Sequence, residues 1–411
     1  MPERWFQIQP LDPLLIRDGR PFQTAPGIRA RSLSDVPPSV VAGTLRTALA
    51  KKRQSLKRTT PLSYYAKSLV RGPLYRWHDH LYVPMPIDLE LFDDELGMYQ
   101  VRPQPMSAKG QGFFGTGKTG RFSDTLWPPI GAGSRKKMKS PPAFVSLQWM
   151  VNWLIDAVDE GQVRDALTDY QNMQKEDRYL KKETPPAFIP ALKRQERTQI
   201  EVENGSKKAK DKHLFSTESL LFPDGLKLEA GIELSSEGSE ELKPFSEVHP
   251  IGGERRLAFI EDRPHSCQQD WACPDAVKQA LKNKSYLRMV LATPAYFSKG
   301  WQPGWLDEQL MSKPLFDSNV RLKLVWASIP SWQPISGWSL NENKSKGHEK
   351  AIRRLVPAGS VYFFTVEEGD PAELAEKMWL QSVSDRNRRK EAFDREDGCG
   401  LALWGTWQPN E

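Results

Sequence analysis

The feature that most constrains the fold is the order of apolar patterns in the second half of the chain. Strand-like runs at 255–261, 286–297, 319–328, 360–367 and 401–407 alternate with helical patterns at 274–282 and 371–382, and with a short one near 305–311. Strands and helices alternating at this spacing suit a βαββαβ unit. The first half opens the same way. Trp5, Phe6, Ile8 and Leu11 make a mostly buried strand, which Pro10 and Pro13 stop. Arg17-Asp18-Gly19-Arg20-Pro21 is turn chemistry. Pro37 and Pro38 then suit a first helical turn, Val41, Leu45, Ala48 and Leu49 make one apolar face, and Lys51, Lys52 and Arg53 crowd the last turn.

After that helix the pattern is interrupted. Residues 74–88 read as one or two short strands, 144–157 as an amphipathic helix, 162–181 as a more polar helix and 185–197 as irregular. Residues 56–190 therefore read as a large insertion, far longer than an ordinary connection. A strand is expected at 197–203. Strands at 213–222 and 226–234 are expected to pair through a Pro223-Asp224-Gly225 turn. The charged stretch 235–241 is the expected domain boundary, giving units at 1–235 and 242–411.

Composition narrows the class. The chain has 411 residues, enough for two domains, and its 33 prolines and 28 glycines imply much loop. No apolar run is long enough to span a bilayer and no secretory leader is visible, so a cytoplasmic location is expected. Cys267, Cys273 and Cys399 form no CxxC pair, and His265 with Cys267 and Cys273 lacks a fourth ligand, so free thiols and no metal are expected. The net charge of +6, from 58 basic and 52 acidic residues, permits nucleic-acid binding without demanding it.

Each motif has a functional and a plain reading. Gly112 to Thr119 (GFFGTGKT) satisfies GxxxxGK[ST], but neither flank supplies the strand and helix of a phosphate-binding loop. A cationic glycine-rich loop in which Lys109, Lys118 and Arg121 follow a phosphate backbone stands beside a plain solvated loop. Arg17 and Arg20 flank a turn near a helix N-terminus: they clamp phosphates, or Asp18 pairs with one of them locally. Arg255 and Arg256 follow Gly252-Gly253-Glu254, as a partner contact or a charged strand start. Trp301, in KGWQPGW, stacks a base or plugs a core. His78-Asp79-His80 offers general acid–base chemistry or an exposed strand edge.

Several stretches carry a family resemblance. PLDPLLIRDGRPF followed by PPSVVAGTLRTAL resembles the N-terminus of the RAMP-superfamily subunit of type III-B CRISPR (Cmr) effector complexes that caps the crRNA 5′ tag. RTQIEVENGSKKAKDKHLFSTESLLF, PIGGERRLAFIE, LATPAYFSKGWQPGWL, PISGWSL, VPAGSVYFF and GCGLALWGTW are similar to further blocks of that family, whereas 56–190 resembles nothing recognised. The resemblance implies an α+β fold of two tandem ferredoxin-like (RRM-like) βαββαβ domains, with the insertion in the first and a glycine-rich loop ending the second. It implies a non-catalytic subunit without a cofactor. The implied partners are the crRNA 5′ tag, the large cyclase/polymerase-like subunit, the adjacent backbone RAMP subunit and, indirectly, target RNA, with no membrane. RNA contact is then expected at Arg17, Asp18, Arg20, Ser39, Gly43, Arg46, Lys109, Lys118, Arg255, Arg256, Trp301, Gly398 and Gly400. Two rivals remain: a RAMP endoribonuclease using His78 or His80, and an ATPase using Lys118. A capping subunit of a related type III subtype would differ only in its partners.

Overall fold

The computed structural model describes residues 3–17, 29–55, 65, 68–93, 97–105, 126–131, 133, 135–176, 185–203, 205, 206, 208–234, 244–339, 348–386 and 393–409. Strands are numbered in chain order. The first sheet holds β1 (Glu3–Pro10), β3 (Val70–Trp77), β4 (His80–Pro84), β7 (Phe144–Ser146), β8 (Phe188–Ile189), β11 (Leu226–Glu233), β12 (Ser246–Pro250) and β13 (Leu257–Arg263). Its order is β12-β13-β1-β11-β3-β4-β7-β8. The second sheet holds β14 (Tyr286–Leu291), β15 (Arg321–Ser328), β20 (Val361–Glu368), β21 (Gln381–Ser382) and β22 (Leu401–Thr406), in the order β15-β20-β14-β22-β21. A third sheet joins β2 (Arg29–Ala30) to the hairpin of β9 (Lys193–Val202) and β10 (Ala209–Leu221). Three two-stranded ribbons complete the set: β5 (Leu89–Leu91) with β6 (Met98–Gln100), β16 (Gln333–Ile335) with β19 (Arg353–Leu355), and β17 (Trp338–Ser339) with β18 (His348–Glu349).

Five helices are described: α1 (Pro38–Ser55), α2 (Leu147–Leu154), α3 (Glu160–Glu176), α4 (Asp275–Leu281) and α5 (Pro371–Met378). The predicted face of α1 is buried throughout, with Val41, Leu45, Ala48 and Leu49 all packed against the first sheet. Strand periodicity divides β1 between two cores. Phe6 and Ile8 face α1, while Trp5 points to the opposite side and joins a core that continues through α2 into the second sheet. Ser146 caps α2 by accepting from the Trp149 N–H, so the segment expected to be wholly helical is a short strand and then a helix.

Other expectations are corrected by pairing that a single segment's periodicity does not report. The strand after α1 is β3, in the middle of the first sheet, so residues 70–77, expected within the insertion, belong to that sheet. The strand expected to open the second domain is β13, which pairs antiparallel with β1 and closes the first sheet. The boundary at 235–242 thus falls inside the first sheet's sequence span. The strands on either side of Pro223-Asp224-Gly225 do not pair with each other. β10 pairs with β9, while β11 lies between β1 and β3. Irregular structure near 188–197 is instead β8 and the start of β9. No helix forms at 305–311, because the Asp307 carboxylate accepts from the Gln309 and Met311 N–H groups and holds a turn.

The two main sheets meet through a buried polar junction. Asp88 follows β4, Arg288 lies on β14, and both are fully buried. Their ion pair is 2.8 Å long; Trp153 Nε1 donates to the second Asp88 oxygen at 3.2 Å, and Arg288 also donates to the Trp153 carbonyl. Burial pushes the Asp88 carboxyl upward, against the opposing pull of Arg288. A second junction is made by backbone. Gly398 has φ 95° and lies against the Val70 and Gly72 carbonyls, where a Cβ would collide.

Asp88→Ala should therefore leave Arg288 with only the partly exposed Asp156 carboxylate, at 3.3 Å, with an expected loss of about 3 kcal/mol in urea unfolding. Replacing both partners, Asp88→Leu with Arg288→Met, should cost less than the single change.

Candidate nucleic-acid interface

The predicted cationic turn is built on the segment Leu14–Arg17. Leu14 exchanges backbone hydrogen bonds with Leu220 of β10 at 2.8 and 2.9 Å. Leu15 accepts from the Gly253 N–H at 2.8 Å, and Ile16 accepts from the Leu33 N–H at 2.8 Å. The Ser32 hydroxyl ties the same segment to β10, accepting from the Ile16 N–H and donating to the Glu218 carbonyl. Four backbone hydrogen bonds thus gather the β9–β10 hairpin, residues 29–33 and the Gly252–Arg256 turn around one short strand.

That arrangement brings exposed cations close together along the chain segments it joins. Arg17 bridges to Ser32 and is exposed, as are Arg31 and Arg255. Arg29 and Arg194 share the Glu218 carboxylate, and Arg29 also reaches Glu196 at 2.9 Å, so these two are partly neutralised. Arg256 is engaged with Glu254 at 3.0 Å. Gly252, at φ 69°, admits no Cβ because the Leu15 carbonyl lies 2.9 Å from where it would stand. Asp18, Arg20, Lys109 and Lys118 lie outside the described residues, as does the whole of Gly112–Thr119.

The remaining predicted residues are placed elsewhere. Ser39 is half-buried in α1 and Gly43 is exposed on it, with open space where a Cβ would go. Arg46 points inward: it pairs with Asp397 and donates to the Ser68 and Glu396 carbonyls at 2.8 and 2.9 Å. Its guanidinium is committed to holding the C-terminal glycine loop. Gly398 and Gly400 are buried in that loop; the Gly398 carbonyl accepts from Thr293 and the Gly400 N–H donates to Pro294. Their glycines serve close packing between the sheets. Trp301 keeps 38% of its surface exposed, while its carbonyl accepts from Tyr362 of β20.

Residues that sequence reasoning missed include Arg29, Arg31, Arg194 and Arg197. The RxR spacing at 29–31 and the KRQER run at 193–197 were the available signals. Ile200, Val202 and Leu214 of the hairpin are exposed apolar residues on its outer half. His78 and His80 flank an exposed turn between β3 and β4, with His78 stacked on Trp77. Burial pushes the Cys267 thiol up to about 11 and the Cys273 thiol up to about 12, away from the thiolate that nucleophiles and metal ligands require. Native protein at pH 8 should therefore react slowly with Ellman's reagent, and urea should release fast labelling.

The family model described as CRISPR-associated protein (Cas_Cmr3) matches residues 6–407. No curated protein matches the sequence. The fold is similar to a chain in the cryo-EM structure of type III-B Cmr-beta bound to cognate target RNA, at 16% identity and a TM-score of 0.44, covering 87% of this chain and 86% of that one. A chain of the Csm3-Csm4 subcomplex of the type III-A interference complex is similar at 9% identity and a TM-score of 0.39, covering 99% and 100%. Because the family model spans nearly the whole sequence, the chain belongs to the Cas_Cmr3 family of CRISPR-associated proteins, and so to the subunits of type III-B effector complexes.

Proposed function

We propose that this subunit is non-catalytic and holds the 5′ tag of the crRNA, docking the large cyclase/polymerase-like subunit beside the adjacent backbone RAMP subunit in antiviral defence. The observation that carries the reading is the convergence of Arg17, Arg31 and Arg255 on the Leu14–Arg17 segment. Cations fixed by a hydrogen-bonded backbone neutralise phosphates at little entropic cost and release counterions. Asp18, Arg20, Lys109 and Lys118 are further RNA contacts in this proposal, as are Ser39 and Gly43 on α1. Trp301 supplies a stacking face from the second unit. Arg46, Gly398 and Gly400 act by fixing the frame.

We read the two main sheets as two ferredoxin-like units. The core strands β13-β1-β11-β3 and β22-β14-β20-β15 follow the same 4-1-3-2 order in chain sequence. In the first unit α1 crosses between its first two strands; in the second α5 crosses between its last two. On this reading the first unit ends near Arg263. The exposed turn at His78 and His80 provides no desolvated site for proton transfer, which favours holding RNA over cutting it.

Fluorescence anisotropy with a tagged guide RNA tests the proposal. Arg17→Ala combined with Arg20→Ala should weaken binding at least about tenfold and lower the salt slope by about two. An unchanged affinity and slope would overturn it. Arg46→Ala should behave differently, losing roughly 3 kcal/mol of stability from a broken buried pair while leaving the salt slope of the folded protein unchanged.

A further inference from the structure

The ribbon of β16 and β19 has two unlike faces. Its inner side chains, Ile335, Arg353 and Leu355, are buried. Ile335 and Leu355 cluster with Cys399 and Tyr296, and Arg353 pairs with the buried Asp394. The ribbon is thereby fastened to the glycine loop, which Arg46 clasps through Asp397. Strand alternation sends the residues between these outward. Pro334 stands opposite Arg354 in the pairing, and Arg354 is exposed. Trp332, two residues before Pro334, keeps 52% of its surface in solvent, and Ile352, two before Arg354, keeps 58%.

The outward residues are organised around one ring. The Arg354 guanidinium carbon lies over the Trp332 ring, 4.8 Å from its centroid. That is inside the range of about 6 Å over which a cation is held by an indole face. No other ring or cation stacks on Trp332 among the described residues. One face of the indole is thus backed by a cation, and much of the ring still meets water.

Charge selects the occupant. On the inner side each cation is matched, Arg353 by Asp394 and Arg46 by Asp397. On the outer side neither Arg354 nor the half-buried Lys350 has a carboxylate within ion-pair distance among the described residues. Burial pushes the Lys350 pKa downward; Asp397 opposes this, while Arg353 and Arg46 add to it. A phosphate beside the ammonium would offset that cost. A protein surface would have to bring an acid to each cation and an apolar group to the ring. A single strand of RNA carries a planar ring and an anion at every nucleotide. Resting on the RNA-binding reading above, we propose that Trp332 stacks one unpaired base on the ring face opposite Arg354, while Arg354 and Lys350 take the phosphates beside it. The site reads a ring and not a base edge, so it accepts any of the four bases. Its ribbon is tied to the loop that lies against Gly72 of β3, so the platform is in place before RNA arrives.

Fluorescence anisotropy of the full-length protein with a tagged guide RNA, over a series of salt concentrations, tests the assignment. Trp332→Ala should weaken binding at least about fivefold at every salt concentration, the lower end of what one stacked base contributes, and leave the salt slope unchanged. Trp332→Phe keeps an aromatic face and should stay within about twofold of wild type. Arg354→Gln should lower the slope by about one. Should Trp332→Ala not fold, Trp332→Leu reads the same comparison. Wild-type affinity in Trp332→Ala overturns the stacking site, and if Arg17→Ala with Arg20→Ala still weakens binding, the RNA-binding reading stands. Equal losses in Trp332→Ala and Trp332→Phe would make the indole a packing residue and overturn the site too. An unchanged slope in Arg354→Gln overturns the phosphate contact. Wild-type RNA affinity in Trp332→Ala, together with loss of co-purification with the other effector subunits, would give this face to a protein partner and overturn the RNA assignment. Failure of the wild-type protein to bind the guide overturns both readings.

Discussion

The ion pair of Asp88 and Arg288 is the constraint on which the rest of the structure depends. Taking two charges fully out of water is costly, and the return comes only if every partner is in place. Here the partners come from three separate stretches of chain: Asp88 after β4, Trp153 on α2 and Arg288 in the centre of the second sheet. None of the three can shift without leaving another unsatisfied. Helix α2 is thereby held in the core, where Leu154 meets Gly405 of β22, and the two sheets are given a single relative position.

That fixed position matters for the proposed interface. The cations near Leu14–Arg17 are carried by the first sheet's periphery, and the exposed Trp301 is tied to the second sheet, its carbonyl accepting from Tyr362 of β20. A surface assembled from both sheets recognises a single strand of RNA by shape only if the sheets do not slide. The buried pair, the Arg46–Asp397 clasp and the Gly72–Gly398 backbone contact all oppose that sliding. Specific contacts on the outside thus rest on polar burial within.

Much of the fold was legible where one segment's own pattern decides its form. The buried face of α1, the strand at β1 and the strands and closing helix of the second sheet follow from local periodicity, because side-chain alternation reports burial directly. Pairing was not legible. β11 and β10 flank a good turn, yet Leu226, Leu228, Ala230 and Ile232 suit the interior of the first sheet whoever the neighbour is. Glycines and arginines misled for a related reason. Gly398 and Arg46 have the chemistry of RNA contacts, and only tertiary context shows them turned against Gly72 and Asp397. Arg31 was overlooked because an isolated arginine becomes meaningful only once its neighbours in space are known.

Thr293 serves two masters, and that has a consequence. Its hydroxyl donates to the Gly398 carbonyl of the glycine loop and accepts from the Leu401 N–H at the start of β22. That oxygen is a rivet between β22 and the loop that lies against Gly72 of β3. Both bonds share one atom, so the loop and the strand behind it move together or not at all.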